Sequence, residues 1–174
     1  MSNKTISQKI KLLSANCQGL RNREKQIDVL SYLKDTNASI VCLQDTHLLE
    51  SDQASIKKIW HECYINGSRR NSRGVSILLN NNFEYKVSSM YKDNEGNVLQ
   101  LIITCGSLKI NLINIYAPNK DDPRFFSKVA QLSQMRTQTT SYFVGTLIWC
   151  LIHQKIVKTT LMSTTHRLEE KSLK

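Results

Sequence analysis

Three short stretches of this 174-residue chain put polar side chains where a plain apolar core has no use for them. "SAN" ends at Asn16, "LQDTHL" carries Gln44, Asp45 and His47, and "NIYAPN" carries Asn114, Tyr116 and Asn119. Each follows an apolar run that reads as a strand, and strand C-terminal ends are where layered α/β folds place ligand sites. Singly, these are ordinary turn or helix-cap residues. Together they make a chemical set. The Asp45 carboxylate and the Asn16 amide oxygen suit a hard divalent cation. Tyr116 and Asn119 can donate hydrogen bonds to phosphate oxygens. A cation beside phosphate donors is what phosphodiester hydrolysis uses to polarise the phosphoryl group and stabilise the leaving oxygen. What the set lacks is a base to activate water.

Positioning such a set takes alternating strands and helices. "IKLLSANCQ" (10–18) reads as a strand, and "NREKQIDVLSYLK" (22–34) as a helix with Asn22 as its cap and Ile27, Leu30 and Leu33 on one face. "ASIVCLQDTH" (38–47) is a continuous apolar run, the pattern of a strand covered on both faces. A short helix is predicted over 52–60. Strands follow at 62–65, 74–80, 84–92, 98–106 and 108–118, then a helix over 121–135 with Pro123 near its start, and a last strand at "SYFVG". This order predicts an α/β layered domain with a mixed, largely antiparallel sheet. One sheet and about half of its cover are expected.

The composition fits a globular domain, with 40% hydrophobic and 22% charged residues. The formal charge is +10, and only five of the 24 basic residues lie beyond Val144. The ordered-looking part is therefore basic too, which points to a polyanion such as DNA, RNA or an anionic membrane surface. The five cysteines show no CxxC spacing, which suits a reducing compartment better than a disulfide framework. The N-terminal "MSNKTISQKIKLLS" has no signal-peptide pattern, and the longest apolar run, "LIWCLI", is too short to span a bilayer. An intracellular location, nuclear or cytoplasmic, is expected.

"LLSANCQGLRN", "IVCLQDTHL", "RRNSRGVSILLN" and "INLINIYAPN", in this order and spacing, resemble the endonuclease/exonuclease/phosphatase superfamily. The resemblance is nearest to the apurinic-type endonuclease domain of LINE (non-LTR) retrotransposon polyproteins, and it runs from about Lys9 to Gly145. It implies part of a four-layered α/β sandwich that cuts DNA with Mg²⁺ or Mn²⁺. It places Asn16 beside the metal and the scissile phosphate, Asp45 at the metal-ligand carboxylate (usually Glu), Tyr116 on the phosphate and Asn119 in the same loop. Gln44 and His47 would support these residues. Arg69, Arg70 and Arg73 would either touch the DNA backbone or sit on a solvated loop.

After a strand like "YFVG" the superfamily continues "GDFN", and later a Ser-Asp-His; this chain reads "GTLIWC" instead. Codons compatible with "VGTLIWC", read one base out of register, spell Gly-Asp-Phe-Asn-Met-Val. Three segments are therefore expected: a polar 1–8, a nuclease-type domain over 9–145 that lacks its second half, and an out-of-frame tail over 146–174 that packs poorly. The implied function is a divalent-metal-dependent DNA endonuclease, here without turnover. A non-catalytic nucleic-acid-binding remnant, a phosphatase or phosphodiesterase of the same superfamily, and an unfolded by-product of a decayed gene are the alternatives.

Overall fold

The computed structural model describes residues 10–68, 72–118, 122–134 and 140–146. Among these residues eight strands and three α-helices follow one another. They are β1 (Leu12–Asn16), α1 (Arg23–Asp35), β2 (Ile40–Gln44), α2 (Gln53–Ile56), β3 (Glu62–Asn66), β4 (Val75–Leu79), β5 (Lys86–Lys92), β6 (Val98–Cys105), β7 (Leu108–Tyr116), α3 (Pro123–Gln134) and β8 (Thr140–Thr146).

The strands divide into two four-stranded sheets, ordered β1-β2-β4-β3 and β5-β6-β7-β8. β1 and β2 are parallel, as are β7 and β8; the other pairs are antiparallel. This corrects the expectation of a single sheet with an uncovered inner face. Alternate residues of the first sheet (Leu12, Ile40, Cys42, Ile77, Leu79) pack against alternate residues of the second (Leu99, Leu101, Ile103, Leu112), all buried. "IVCL", "SILL" and "LIIT" thus meet one another across the interface. Fully burying each such aliphatic side chain is worth ~1.5–3 kcal/mol.

The outer faces carry the helices. Leu30, Leu33, Ile56 and Trp60 cover the first sheet. Val129 and Leu132 of α3 cover the second, over Val98, Ile113 and Ile115. The layers run helix, sheet, sheet, helix. α1 starts at Asn22, whose side chain accepts from the Lys25 amide at 2.9 Å. Its buried face is Gln26, Leu30 and Leu33, while Ile27 is 41% exposed. Leu30 and Leu33 are buried as predicted, and Gln26 takes the place expected of Ile27: its amide donates to the Leu20 carbonyl and accepts from Arg23. The helix predicted over 52–60 shrinks to a 3-10 turn at Glu50–Asp52 and the single turn of α2.

Candidate phosphate-binding site

β1, β2 and β7 end on the same side of the sandwich, and β4 begins there. Register fixes this: Asn16 lies opposite Gln44, Gln44 opposite Val75, and Tyr116 opposite Thr146. Below the surface at this end a polar clasp joins the two sheets. Gln44 Nε2 donates to Asn114 Oδ1 at 2.7 Å, and Asn114 Nδ2 donates to the carbonyls of Leu43 and Ser76 at 3.0 and 2.9 Å. Both amides are buried, and Ser14 Oγ completes the group by accepting from Gln44 Nε2 at 3.1 Å. Gln44 is therefore a structural residue beneath the site.

Above the clasp, four loops and the end of β7 are tied together through their backbones. Gly19 and Leu20 donate to the carbonyls of Asp45 and Thr46 at 2.7 Å each. Thr46 and His47 donate to Gly74 and Arg73 at 3.0 and 2.7 Å. Gly74 donates to Gly96 at 3.2 Å, and Tyr116 to Asn97 at 2.8 Å. Asp45, His47 and Arg73 all have positive φ, at 52°, 56° and 66°. Such residues cost ~1–3 kcal/mol each and persist only where the surroundings over-determine them. Gly74, at φ 95°, fits where a Cβ would lie 2.8 Å from Thr46 Oγ1.

Two of these residues meet each other. Asp45 Oδ1 lies 2.9 Å from His47 Nε2. The Tyr116 hydroxyl faces the Asp45 carboxylate, and the Arg73 guanidinium is close enough to act on the phenol. Burial, then the charge and hydrogen-bonding pull of Asp45, raise the Tyr116 phenol above its ordinary value against the opposing pull of Arg73. Tyr116 stays a neutral donor. Arg73 Nη1 stands 3.7 Å from Glu95. Asn16 is exposed at the mouth of the inter-sheet face, its Oδ1 accepting from the Gln18 amide at 3.1 Å. The thiol of the neighbouring Cys17 is pushed up to about 12 by burial, with Lys25 opposing and Asp45 adding to the shift.

Among the predicted residues, Asp45, His47, Arg73 and Tyr116 are thus brought together, and Asn16 stands on the neighbouring strand end. Asn119, Arg69, Arg70 and the tail after Thr146 lie outside the described residues. Sequence reasoning missed the turn Asp93–Asn97. Asp93 Oδ1 accepts from the amides of Asn97 and Val98 and from Asn66 Nδ2, which sets the Asn97 carbonyl under the Tyr116 amide. The signal was there, an Asp followed by Gly and Asn between two strands. It also missed Lys25, whose ammonium ties α1 to the carbonyls of Cys17 and Gln18; no local pattern marks it.

Among the described residues no group of three or more His, Cys, Asp or Glu forms a ready metal cage. One carboxylate and one amide oxygen at a strand-end cleft fit a dication that keeps most of its water and takes further oxygens from a phosphate.

No family model matches the chain. It is 27% identical over 139 residues to the Transposon TX1 uncharacterized 149 kDa protein of Xenopus laevis, covering 78% of this chain and 11% of that protein. It is 26% identical over 113 residues to an exodeoxyribonuclease of Bacillus subtilis, covering 63% of this chain and 43% of that one. Truncated TDP2 from Caenorhabditis elegans superposes with a TM-score of 0.60 at 19% identity, over 82% of this chain and 63% of that chain. The endonuclease domain of TRAS1, a telomere-specific non-LTR retrotransposon, superposes at 0.58 and 14% identity, over 79% and 59%. The fold is that of the endonuclease/exonuclease/phosphatase superfamily. Another structure with this superfamily fold, D. rerio TDP2 complexed with a single-strand DNA product, superposes at 0.59 and 16% identity, over 79% and 60%. The chain therefore spans about three fifths of the solved superfamily chains. Among its described residues no helix is long and apolar enough to cross a membrane.

Proposed function

We propose that this chain carries the phosphate- and metal-binding part of a DNA phosphodiesterase site and binds DNA without completing hydrolysis. The observation that carries this is the convergence of Asp45, Tyr116 and Arg73 at the strand ends, on a nuclease fold and a chain of formal charge +10. Asp45 and Asn16 would hold a Mg²⁺ or Mn²⁺ ion, which when bound supplies Lewis-acid polarisation of the phosphoryl group. Arg73 meets the negative charge of a phosphate oxygen. Tyr116, kept protonated, donates a hydrogen bond to it.

What halts turnover is the end of β8. Its backbone pairs Thr146 with Tyr116, so the residue beside the phosphate donor is a threonine where the superfamily pattern "GDFN" has a carboxylate. A general base contributes ~10²–10⁴-fold to such a reaction. The DNA-bound TDP2 of the same fold supports the choice of polyanion.

The test is filter binding and plasmid nicking on the full chain. Binding to duplex DNA should weaken steeply as salt rises, since neutralised phosphates release counterions. Supercoiled plasmid should stay intact with Mg²⁺ or Mn²⁺. Nicking that Asp45→Ala abolishes would show a working nuclease, and salt-insensitive or absent DNA binding would remove the reading altogether.

A further inference from the structure

The two side chains proposed to grip a phosphate come from different sheets. Arg73 precedes β4 of the first sheet, and Tyr116 ends β7 of the second. One short segment touches the surroundings of both. The 93–97 turn joins β5 to β6, and its Asn97 carbonyl accepts from the Tyr116 amide at 2.8 Å. Its Gly96 carbonyl accepts from the Gly74 amide at 3.2 Å, next to Arg73, and Glu95 stands 3.7 Å from the guanidinium. The turn also lies against the loop before β4. A Cβ at Gly96 would come within 2.9 Å of the Ser68 amide nitrogen.

The Asp93 carboxylate shapes this turn. A single oxygen, Oδ1, accepts from the Asn97 amide at 2.9 Å, the Val98 amide at 3.0 Å and Asn66 Nδ2 at 2.7 Å. The first two donors belong to the turn's own hairpin, and the third reaches over from β3 of the first sheet. Asn66 is buried, and its Nδ2 also meets the Val98 carbonyl at 2.8 Å. One carboxylate oxygen thus closes the turn and ties it to the opposite sheet.

We infer that Asp93 is the positioning residue of the phosphate grip: by holding the 93–97 turn between the sheets, it sets how far Arg73 stands from Tyr116. This rests on the proposed phosphate-binding role of those two side chains. Asp93 itself touches no phosphate, and by charge alone it opposes a polyanion. Its contribution is geometric, since donors already at the right separation lose less freedom on binding.

Duplex-DNA binding by the full chain tests this through its sign. Charge alone predicts that losing Asp93 strengthens binding. Positioning predicts that Asp93→Ala weakens it by about two- to tenfold, the worth of one hydrogen bond lost at the phosphate. Asp93→Asn keeps Oδ1 and should not weaken it. Tyr116→Phe should weaken binding in the unsubstituted chain and add little once Asp93 is replaced by alanine. If Asp93→Ala and Asp93→Asn both strengthen binding, or if Tyr116→Phe costs as much in either background, Asp93 positions nothing and the phosphate-binding reading stands. If Tyr116→Phe costs nothing in the unsubstituted chain, the phosphate role of Tyr116 falls and the inference with it. A last measurement needs no substitution. Binding and the order of the turn are reciprocally linked, so a short DNA duplex should slow hydrogen exchange at the Asn97 and Val98 amides, the two that Asp93 holds. Unchanged exchange there with DNA bound overturns the inference even where Asp93→Ala fails to fold.

Discussion

The two ends of the sandwich are built from the same strands and differ in how their loops are held. At the end where β1, β2 and β7 finish, four loops and the end of β7 are bonded to one another, and four non-glycine residues, Gln18, Asp45, His47 and Arg73, carry positive φ. At the other end, where β3 starts and β4 finishes, Phe83 and Tyr85 stack with ring centres 4.7 Å apart over an open hollow lined by His61, Glu62, Tyr64 and Glu84. That hollow is no better candidate for chemistry. It is wide open, its Glu62 is already paired with Lys57 at 3.0 Å, and no backbone strain aims a side chain into it. Strain and converging polar groups mark the chemical end; room does not.

Three changes would break or sharpen this contrast. The largest effect is expected from Asn114→Ala. It strips the clasp under the site and removes three buried hydrogen bonds, two to the Leu43 and Ser76 carbonyls and one from the Gln44 amide, which keeps Ser14 Oγ. Each buried hydrogen bond lost costs ~0.5–1.5 kcal/mol, so urea melts should show a loss of about 2–4 kcal/mol. A loss under about 1 kcal/mol would mean that water replaces the clasp freely.

Next in size is a pair of glycine substitutions, one at each end. Gly74→Ala places a methyl 2.8 Å from Thr46 Oγ1 at φ 95°, so it meets both backbone strain and a clash. Gly106→Ala, at φ 57° in the β6–β7 turn, meets no atom within 4 Å. Equilibrium unfolding should place the first at ~1–3 kcal/mol and the second nearer ~1 kcal/mol. Equal losses would erase the claim that the site end is the tighter one.

The smallest effect concerns alkaline pH. Burial, followed by the charge of Glu62, pushes the Tyr85 phenol from 10.0 up to about 12. Its folded pKa is the higher one. The stability it contributes is complete below pH 10 and is lost as pH rises toward 12, because the unfolded chain ionises first. The stability of Tyr85→Phe should therefore fall less than that of the unsubstituted chain across that window. Identical pH profiles would show that the far end is as wet as bulk solvent.

Much of this was legible in the sequence, for identifiable reasons. Asn16, Asp45 and Tyr116 each close an apolar run, so their arrival at one side of the sandwich follows from strand direction alone. The division into two sheets was not legible. β5, β6 and β7 form hairpin-like neighbours that would suit one sheet or two, and what separates them from β4 is packing across the interface, which leaves no local pattern. The face of α1 was legible at Leu30 and Leu33 and missed only in its first turn, where a satisfied Gln26 is buried and Ile27 is not. The contact of His47 with Asp45 depends on two successive departures into positive φ, which only the bonds from the 72–74 and 19–20 segments enforce. The 93–97 turn could have been read, since its residue types announce it.

The Gln44–Asn114 clasp joins positions 70 residues apart in the chain. Contacts of such separation are slow to form, because a long loop must close before they reward it. During synthesis β1 and β2 emerge and can pair well before β7 exists. The proposed phosphate donors then come together only when the second sheet docks. The proposed site is thus a late product of folding, and it is early to go. Any opening that lifts β7 and its sheet from the first sheet releases Tyr116 from Asp45 while the β1–β2 ladder still holds, so protection of the Gly74 amide, held by the Gly96 carbonyl across the two sheets, should fade against hydrogen exchange before that of Val41.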